Sequence, residues 1–136
     1  MLNGIDPVIG PDLLYALHRM GHGDELVLAD ANFPAYAQGV PAIEAAGVSV
    51  SEMLLAILSL FPLDTFEDCA FRMEIVGDPL TVPPVCQEFQ EILGKVVIKP
   101  LERFAFYERA KTAFVIVRTS EVRHYGNLIL KKGVVT

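Results

Sequence analysis

Tryptophan is absent from this chain, and cysteine occurs only twice and histidine three times in 136 residues. Cys69 and Cys86 form no C-x-x-C pair, which leaves no basis for a disulfide framework or a thiolate metal site; a reduced, cytoplasmic protein is the expectation. No apolar run is long enough for a membrane span: the longest, Val48 to Leu63, is broken by Ser49, Ser51, Glu52, Ser59 and Pro62. The opening segment MLNGIDPVIG has neither the basic stretch nor the apolar core of a signal peptide, so none is expected. Bases are scarce as well, 11 against 17 acids for a net charge of −6. That balance argues against a phosphate-tracking nucleic-acid surface and against a polybasic membrane module. Also missing are G-x-G-x-x-G, a P-loop and G-x-S-x-G.

Apolar residues are plentiful, 52% of the chain, and the length suits one domain with one core. Charge is distributed unevenly. Residues 1–94 carry 14 acids and two bases, Arg19 and Arg72, a net of −12, whereas residues 95–136 carry nine bases and three acids, a net of +6.

Punctuation and periodicity divide the chain into short alternating elements. Pro11 to about Met20 reads as a helix with Leu13, Leu14, Leu17 and Met20 on one stripe, stopped by Gly21 and Gly23. Glu25 to Ala29 is a short buried strand that ends at Asp30 and a loop holding Pro34. Pro41 to Ala46 is a second strand, and Ser49 or Ser51 caps a helix running to about Leu60. Phe71 to Val76 alternates as a strand before the turn Gly77-Asp78-Pro79. Pro83 and Pro84 start a helix that Gly94 ends, and Lys95 to Lys99 is a strand or a connector. A helix over Glu102 to Lys111 places Phe104, Tyr107 and Ala110 on one side, with Arg103 off it. Phe114 to Arg118 and Leu128 to Leu130 are the late strands, separated by a polar turn over 121–127. This alternation predicts an α/β layered domain, a single mixed or largely parallel sheet with helices on its faces.

Three groups of residues carry candidate chemistry. His22 lies between Gly21 and Gly23, where an imidazole stands clear of a helix end and exchanges a proton near neutral pH; a surface histidine in a glycine cap accounts for the same pattern. Asp30 sits at the carboxyl end of an apolar strand, where open α/β sheets place ligands, although acids also favour loop entries for their local hydrogen bonds. Arg103, Tyr107, Tyr125, Gly126 and Asn127 combine hydrogen-bonding and stacking groups suited to a polyhydroxylated ligand. Phe104 and Phe106 fit a core or an interface, and Arg109 and Lys111 a solvated face. His18 and His124 read as plain surface residues. A metal site from His22, Asp30 and His124 lacks ligand spacing, and no metal or cofactor is expected.

Taken in order, Gly21-His22-Gly23-Asp24, Ala29 to Pro34, Arg103 to Ala110, Tyr125-Gly126-Asn127 and Leu130 to Val134 resemble the RbsD/FucU family of sugar mutarotases and pyranases over nearly the whole chain. The resemblance implies a three-layer α/β/α sandwich with a single mixed, largely parallel sheet, and an isomerase acting on a monosaccharide, with His22 as proton donor and Asp30, Arg103 and the Tyr125-Gly126-Asn127 segment binding the sugar. The Arg103 block is similar to the branch acting on L-fucose; the ribose pyranase branch carries histidine there. The resemblance also implies a homo-oligomer, a ring-shaped decamer in bacterial members, with active sites between neighbouring subunits. Two departures stand out, Gly10 where relatives often carry a capping Ser and Asn32 where some carry His. A non-catalytic sugar-binding or regulatory subunit is the alternative of another class, and a metal-dependent isomerase a third. On this basis the acidic and basic portions are expected to meet head to tail between subunits, with His22 and Asp30 from one and Tyr125-Gly126-Asn127 from the next.

Overall fold

The computed structural model describes residues 1–136. Four helices, α1 (Pro11–Arg19), α2 (Val50–Leu58), α3 (Pro84–Leu93) and α4 (Arg103–Ala110), accompany six strands. The strands are β1 (Glu25–Ala29), β2 (Ala42–Ala45), β3 (Ala70–Met73), β4 (Ile98–Leu101), β5 (Val115–Thr119) and β6 (Leu128–Lys131). They form one sheet in the order β2-β5-β1-β6-β3-β4. β1, β2 and β5 pair in parallel, as do β3 and β4, while β6 is antiparallel to both β1 and β3. Five strands therefore run one way and β6 alone runs against them, so five carboxyl ends gather along one edge of the sheet.

The alternation of side chains along each strand separates two cores. Leu26 and Leu28 of β1, with Val115, Val117, Leu128 and Leu130, pack beneath α1, α2 and α3. Val27 and Ala29, with Ile116 and Ile129, face the other way onto Phe33 and onto Phe106 and Ala110 of α4. The result is the expected α/β/α sandwich with three helices on one face and one on the other.

Local chemistry accounts for the element ends. The Ser49 hydroxyl accepts from Glu52 N at 3.1 Å while the Glu52 carboxylate accepts from Ser49 N at 2.9 Å, so Ser49 and not Ser51 caps α2. Gly10, by contrast, makes no side-chain cap for α1. β4 lies three residues beyond the start of the expected Lys95–Lys99 segment and contains Pro100. As an edge strand bonded only to β3, it tolerates the missing donor. β3 stops at Met73, short of Val76.

α4 is rotated relative to the sequence expectation. Phe106 and Ala110, four residues apart, are its core face, while Phe104 is 67% exposed. Arg103 and Tyr107, also four apart, share a stripe instead of facing apart. Arg109 is half-buried and paired as well as solvated: its guanidinium lies 3.7 Å from the Phe71 ring and forms a bidentate pair with Glu25, Nη2 to Oε2 at 2.7 Å.

The charge split also has an account within one chain. Arg109 pairs with Glu25, Arg118 with Glu44, Arg123 with Glu88, and Lys131 with Glu67. The late bases thus meet the early acids inside the subunit, because β5, β6 and α4 lie among elements from the first two thirds of the chain. A head-to-tail meeting of subunits is not needed to explain it.

Candidate active site

A small cleft of about 210 Å³ opens at the edge where the carboxyl ends gather. It is below the roughly 300 to 1,000 Å³ of pockets for drug-sized ligands. Four segments supply its walls: Asp30, Asn32 and Phe33 after β1, Met73 and Val76 at the end of β3, Arg103 and Tyr107 on α4 just after β4, and His124, Tyr125 and Asn127 before β6.

Asp30 and Asn127 are the floor, 6% and 4% exposed. They hold each other reciprocally: Asp30 N donates to Asn127 Oδ1 at 2.8 Å, and Asn127 Nδ2 donates to Asp30 Oδ2 at 3.0 Å. Asn32 N donates to the other carboxylate oxygen at 3.0 Å. Burial pushes the Asp30 carboxyl above its ordinary pKa, against the lowering effect of these donors. The group is thus a stronger base than a solvated aspartate, and each oxygen retains lone-pair capacity for a hydroxyl.

Gly126 makes this contact possible. A Cβ there would stand 2.8 Å from Glu121 Cγ and 3.2 Å from the Arg123 carbonyl, so glycine lets the turn fold tightly over Glu121 where the segment meets Asp30. Its neighbour Tyr125 adopts φ +64°, a left-handed conformation uncommon outside glycine. That turn directs the phenol across the cleft mouth, where its hydroxyl accepts from Val76 N at 3.1 Å. The turn is held by a network: Thr119 Oγ1 donates to the Ala29 carbonyl, Ala31 N donates to the Glu121 carbonyl, and Arg123 bridges Glu121 and Glu88. Opposite, the Arg103 guanidinium lies 5.8 Å from the Tyr107 ring, which packs 5.5 Å from Phe33.

His22 is elsewhere. It precedes β1, whereas Asp30 follows it, so the two are separated by a strand of about 16 Å at 3.3 Å per residue. Within one subunit His22 and Asp30 do not share a cleft, and His22, Asp30 and His124 converge on no common point. At the amino edge, His22 Nε2 lies 3.1 Å from Asp64 Oδ1 and its ring 5.5 Å from Phe66. Asp64 is 5% exposed; although burial opposes its charge, the Phe66 N–H and His22 hold its carboxyl below the usual range. An ionised carboxylate only accepts, so Nε2 carries the hydrogen in this contact and Nδ1 is the ring nitrogen without a partner in the chain. The carboxylate that orients His22 is therefore Asp64 and not Asp30.

Sequence reading does not find Asp64 or His124, nor the apolar cleft walls Phe33, Met73 and Val76. Asp64 lies 42 positions from His22 with no spacing signal. His124, expected to be a plain surface residue, is exposed yet lines the cleft.

Comparison with known proteins gives this geometry a family. A model of the RbsD / FucU transport protein family matches residues 3–135. A fucose mutarotase of Danio rerio is 50% identical, covering 99% of this chain and 95% of that protein. The crystal structure of a fucose mutarotase from Streptococcus pneumoniae in complex with L-fucose superposes with a TM-score of 0.92 at 43% identity, over 99% of this chain and 100% of that one. Bacillus subtilis RbsD complexed with D-ribose shares the fold, TM-score 0.83 at 21% identity, over the whole of both chains. The chain belongs to the RbsD/FucU family.

Proposed function

We propose that the protein is an L-fucose mutarotase, an isomerase that interconverts the α and β anomers by opening and closing the pyranose ring. The observation that carries this reading is the buried Asp30–Asn127 pair at the floor of a sugar-sized cleft, in a chain 43% identical to a fucose-bound mutarotase. Asp30 and Asn127 accept from and donate to sugar hydroxyls, Arg103 donates from the rim, and Tyr107 and Tyr125 line the apolar side of the ring. Gly126 fixes the segment close to Asp30.

Ring opening requires a proton on the ring oxygen and removal of the anomeric hydroxyl proton. In this proposal the partner subunit's His22, protonated at Nδ1, gives its proton to the ring oxygen, and the Asp30 carboxylate takes the anomeric proton. The bond between C1 and the ring oxygen breaks, a free aldehyde forms, rotation about C1–C2 turns it, and the reverse transfers close the other anomer. No cofactor or metal takes part. Positioned acid and base groups contribute about 100-fold to 10,000-fold.

The separation of His22 from Asp30 along β1 supports a homo-oligomer in which neighbouring subunits complete each site, and a decameric ring is the assembly proposed. A cytoplasmic location suits the two buried thiols, Cys86 being pushed by burial up to about 11. No helix is long and apolar enough to cross a membrane.

Exchange NMR on equilibrated L-fucose tests the reading. Wild type should accelerate anomer exchange over buffer, and His22→Ala should return it near the buffer rate while L-fucose still binds by calorimetry. Binding by wild type without acceleration would select a non-catalytic sugar-binding subunit instead. Faster exchange of D-ribose pyranose forms than of L-fucose anomers would select a pyranase.

A further inference from the structure

Arg72 is one of only two bases in the first 94 residues, and it is 7% exposed. It takes part in none of the chain's ion pairs, and its Nη1 is buried without a hydrogen-bond partner. A guanidinium keeps its charge at any working pH, carries five donors and accepts nothing. Burying it unpaired is costly, so a position of this kind calls for an acceptor of negative charge.

The setting supplies room for one. Arg72 lines a recess of about 420 Å³ between β3 and α3, with Val82, Cys86 and Ile98 as apolar wall and Gln87, Gln90 and Glu91 toward the mouth. The Gln90 amide is committed, Nε2 donating to the Gly94 and Val96 carbonyls at 3.0 and 2.7 Å, while Gln87 Nε2 gives one of its two N–H groups to the Val82 carbonyl at 3.4 Å. The guanidinium is the charged donor of the recess, with Nη1 unpaired. Side chains alternate along β3, so Arg72 faces α3 while Met73 faces the sugar cleft on the opposite side of the sheet. The recess and the cleft are separate sites.

We propose that this recess binds a small oxyanion, the carboxylate or phosphate group of a metabolite, which seats bidentately on the buried Arg72 guanidinium with its carbon portion against Val82 and Ile98. The planar fork of arginine matches both groups. Glu91, exposed at the mouth, opposes entry of a second negative charge and so tunes affinity. This site is independent of the mutarotase reading and stands if that reading fails.

Titration calorimetry on the intact protein with inorganic phosphate and, separately, acetate, at ionic strength held with chloride, tests it. Saturable uptake of one anion per chain is expected, and the probe that binds more tightly identifies the class. Arg72→Gln should weaken that uptake by at least about tenfold, as loss of charge-assisted hydrogen bonds implies, and Glu91→Gln should strengthen it by about twofold. If neither anion binds wild type, or Arg72→Gln binds as wild type does, the proposal is wrong. It is also wrong if Arg72→Gln sediments as a smaller species while wild type takes up neither anion, because the acceptor then belongs to a second copy. Should Arg72→Gln not fold, the Nε resonance of Arg72 in wild type decides. A shift on adding phosphate or acetate, with its midpoint lowered in Glu91→Gln, supports the site, and no shift overturns it.

Discussion

The two ends of β1 are built differently. At the carboxyl end, Asp30 is buried, doubly bonded to Asn127 and backed by Thr119 and Glu121, and four segments of one chain converge on the cleft. At the amino end, the His22 side chain is 49% exposed and held by a single carboxylate. One end has its polar floor already tied together by hydrogen bonds within the chain; the other offers a reactive group outward. The difference teaches that recognition is a property of one subunit's sheet, while the proton step in the proposed mechanism is a property of the assembly. Preorganisation lowers the cost of binding, and a group displayed on the surface gains its environment only when a neighbour covers it.

The sharpest way to break this comparison is to separate the two ends genetically. His22→Ala and Asp30→Asn should each reduce anomer exchange by about 100-fold to 10,000-fold. Mixed one to one after dissociation and reassembly, they should recover about a quarter of wild-type activity, because random neighbours rebuild that share of intact sites. Recovery of nothing would place both groups in one subunit's site.

Disturbing the finished end should cost stability as well as binding. Asn127→Ala leaves the Asp30 N–H and a carboxylate oxygen unpaired in a buried floor, and chemical denaturation should show a loss of about 2 kcal/mol. L-fucose binding should disappear with it. Gly126→Ala forces a methyl against Glu121 and the Arg123 carbonyl, for a loss of about 1 to 3 kcal/mol and a weakened sugar affinity.

The open end should respond to pH instead. The Asp64 carboxyl is held below its ordinary range in the fold, so the stability it contributes is present above the unfolded value of about 3.9 and is lost as pH falls through the lower folded value. Asp64→Asn should flatten that acid limb in denaturation midpoints measured between about pH 2 and 5 and slow anomer exchange at pH 7, with L-fucose affinity unchanged. The smallest effect belongs to a site far from both ends: Ser49→Ala removes half of the α2 capping box, about 1 kcal/mol, with no change in exchange rate.

Most of the architecture was legible because it is written in local signals. Pro11 and Gly21 bracket α1, the apolar run after Glu25 fixes β1, and Pro84 and Gly94 bracket α3. Asp30 and Asn127 were legible as polar residues at the ends of apolar strands. What local signals do not carry is rotation and distance. The face of α4 is ambiguous in sequence because five aromatic or apolar positions in eight residues fit more than one stripe, and packing on Phe33 and Phe71 selects Phe106 and Ala110. Asp64 was invisible because the loop after α2 returns to His22 only once Asp64 N donates to the Lys131 carbonyl, a contact between segments far apart in the chain. The charge split is likewise silent on partners until the fold is known: composition counts charges without knowing which strands lie side by side.

The position of β6 has a consequence for how the molecule comes into being. Its neighbours β1 and β3 touch each other nowhere in the sheet, so the β2-β5-β1 and β3-β4 portions are joined only by four residues that come late in the chain. A chain stopped before Leu128 holds two half-sheets, each with an apolar open edge and no Asn127 fixed beneath Asp30. Such edges are templates for aggregation, and pairing across so long a stretch of sequence is slow. Synthesis must therefore run nearly to residue 131 before either the fold or its cleft exists, and cooperative folding of the whole is the only route to a working receptor.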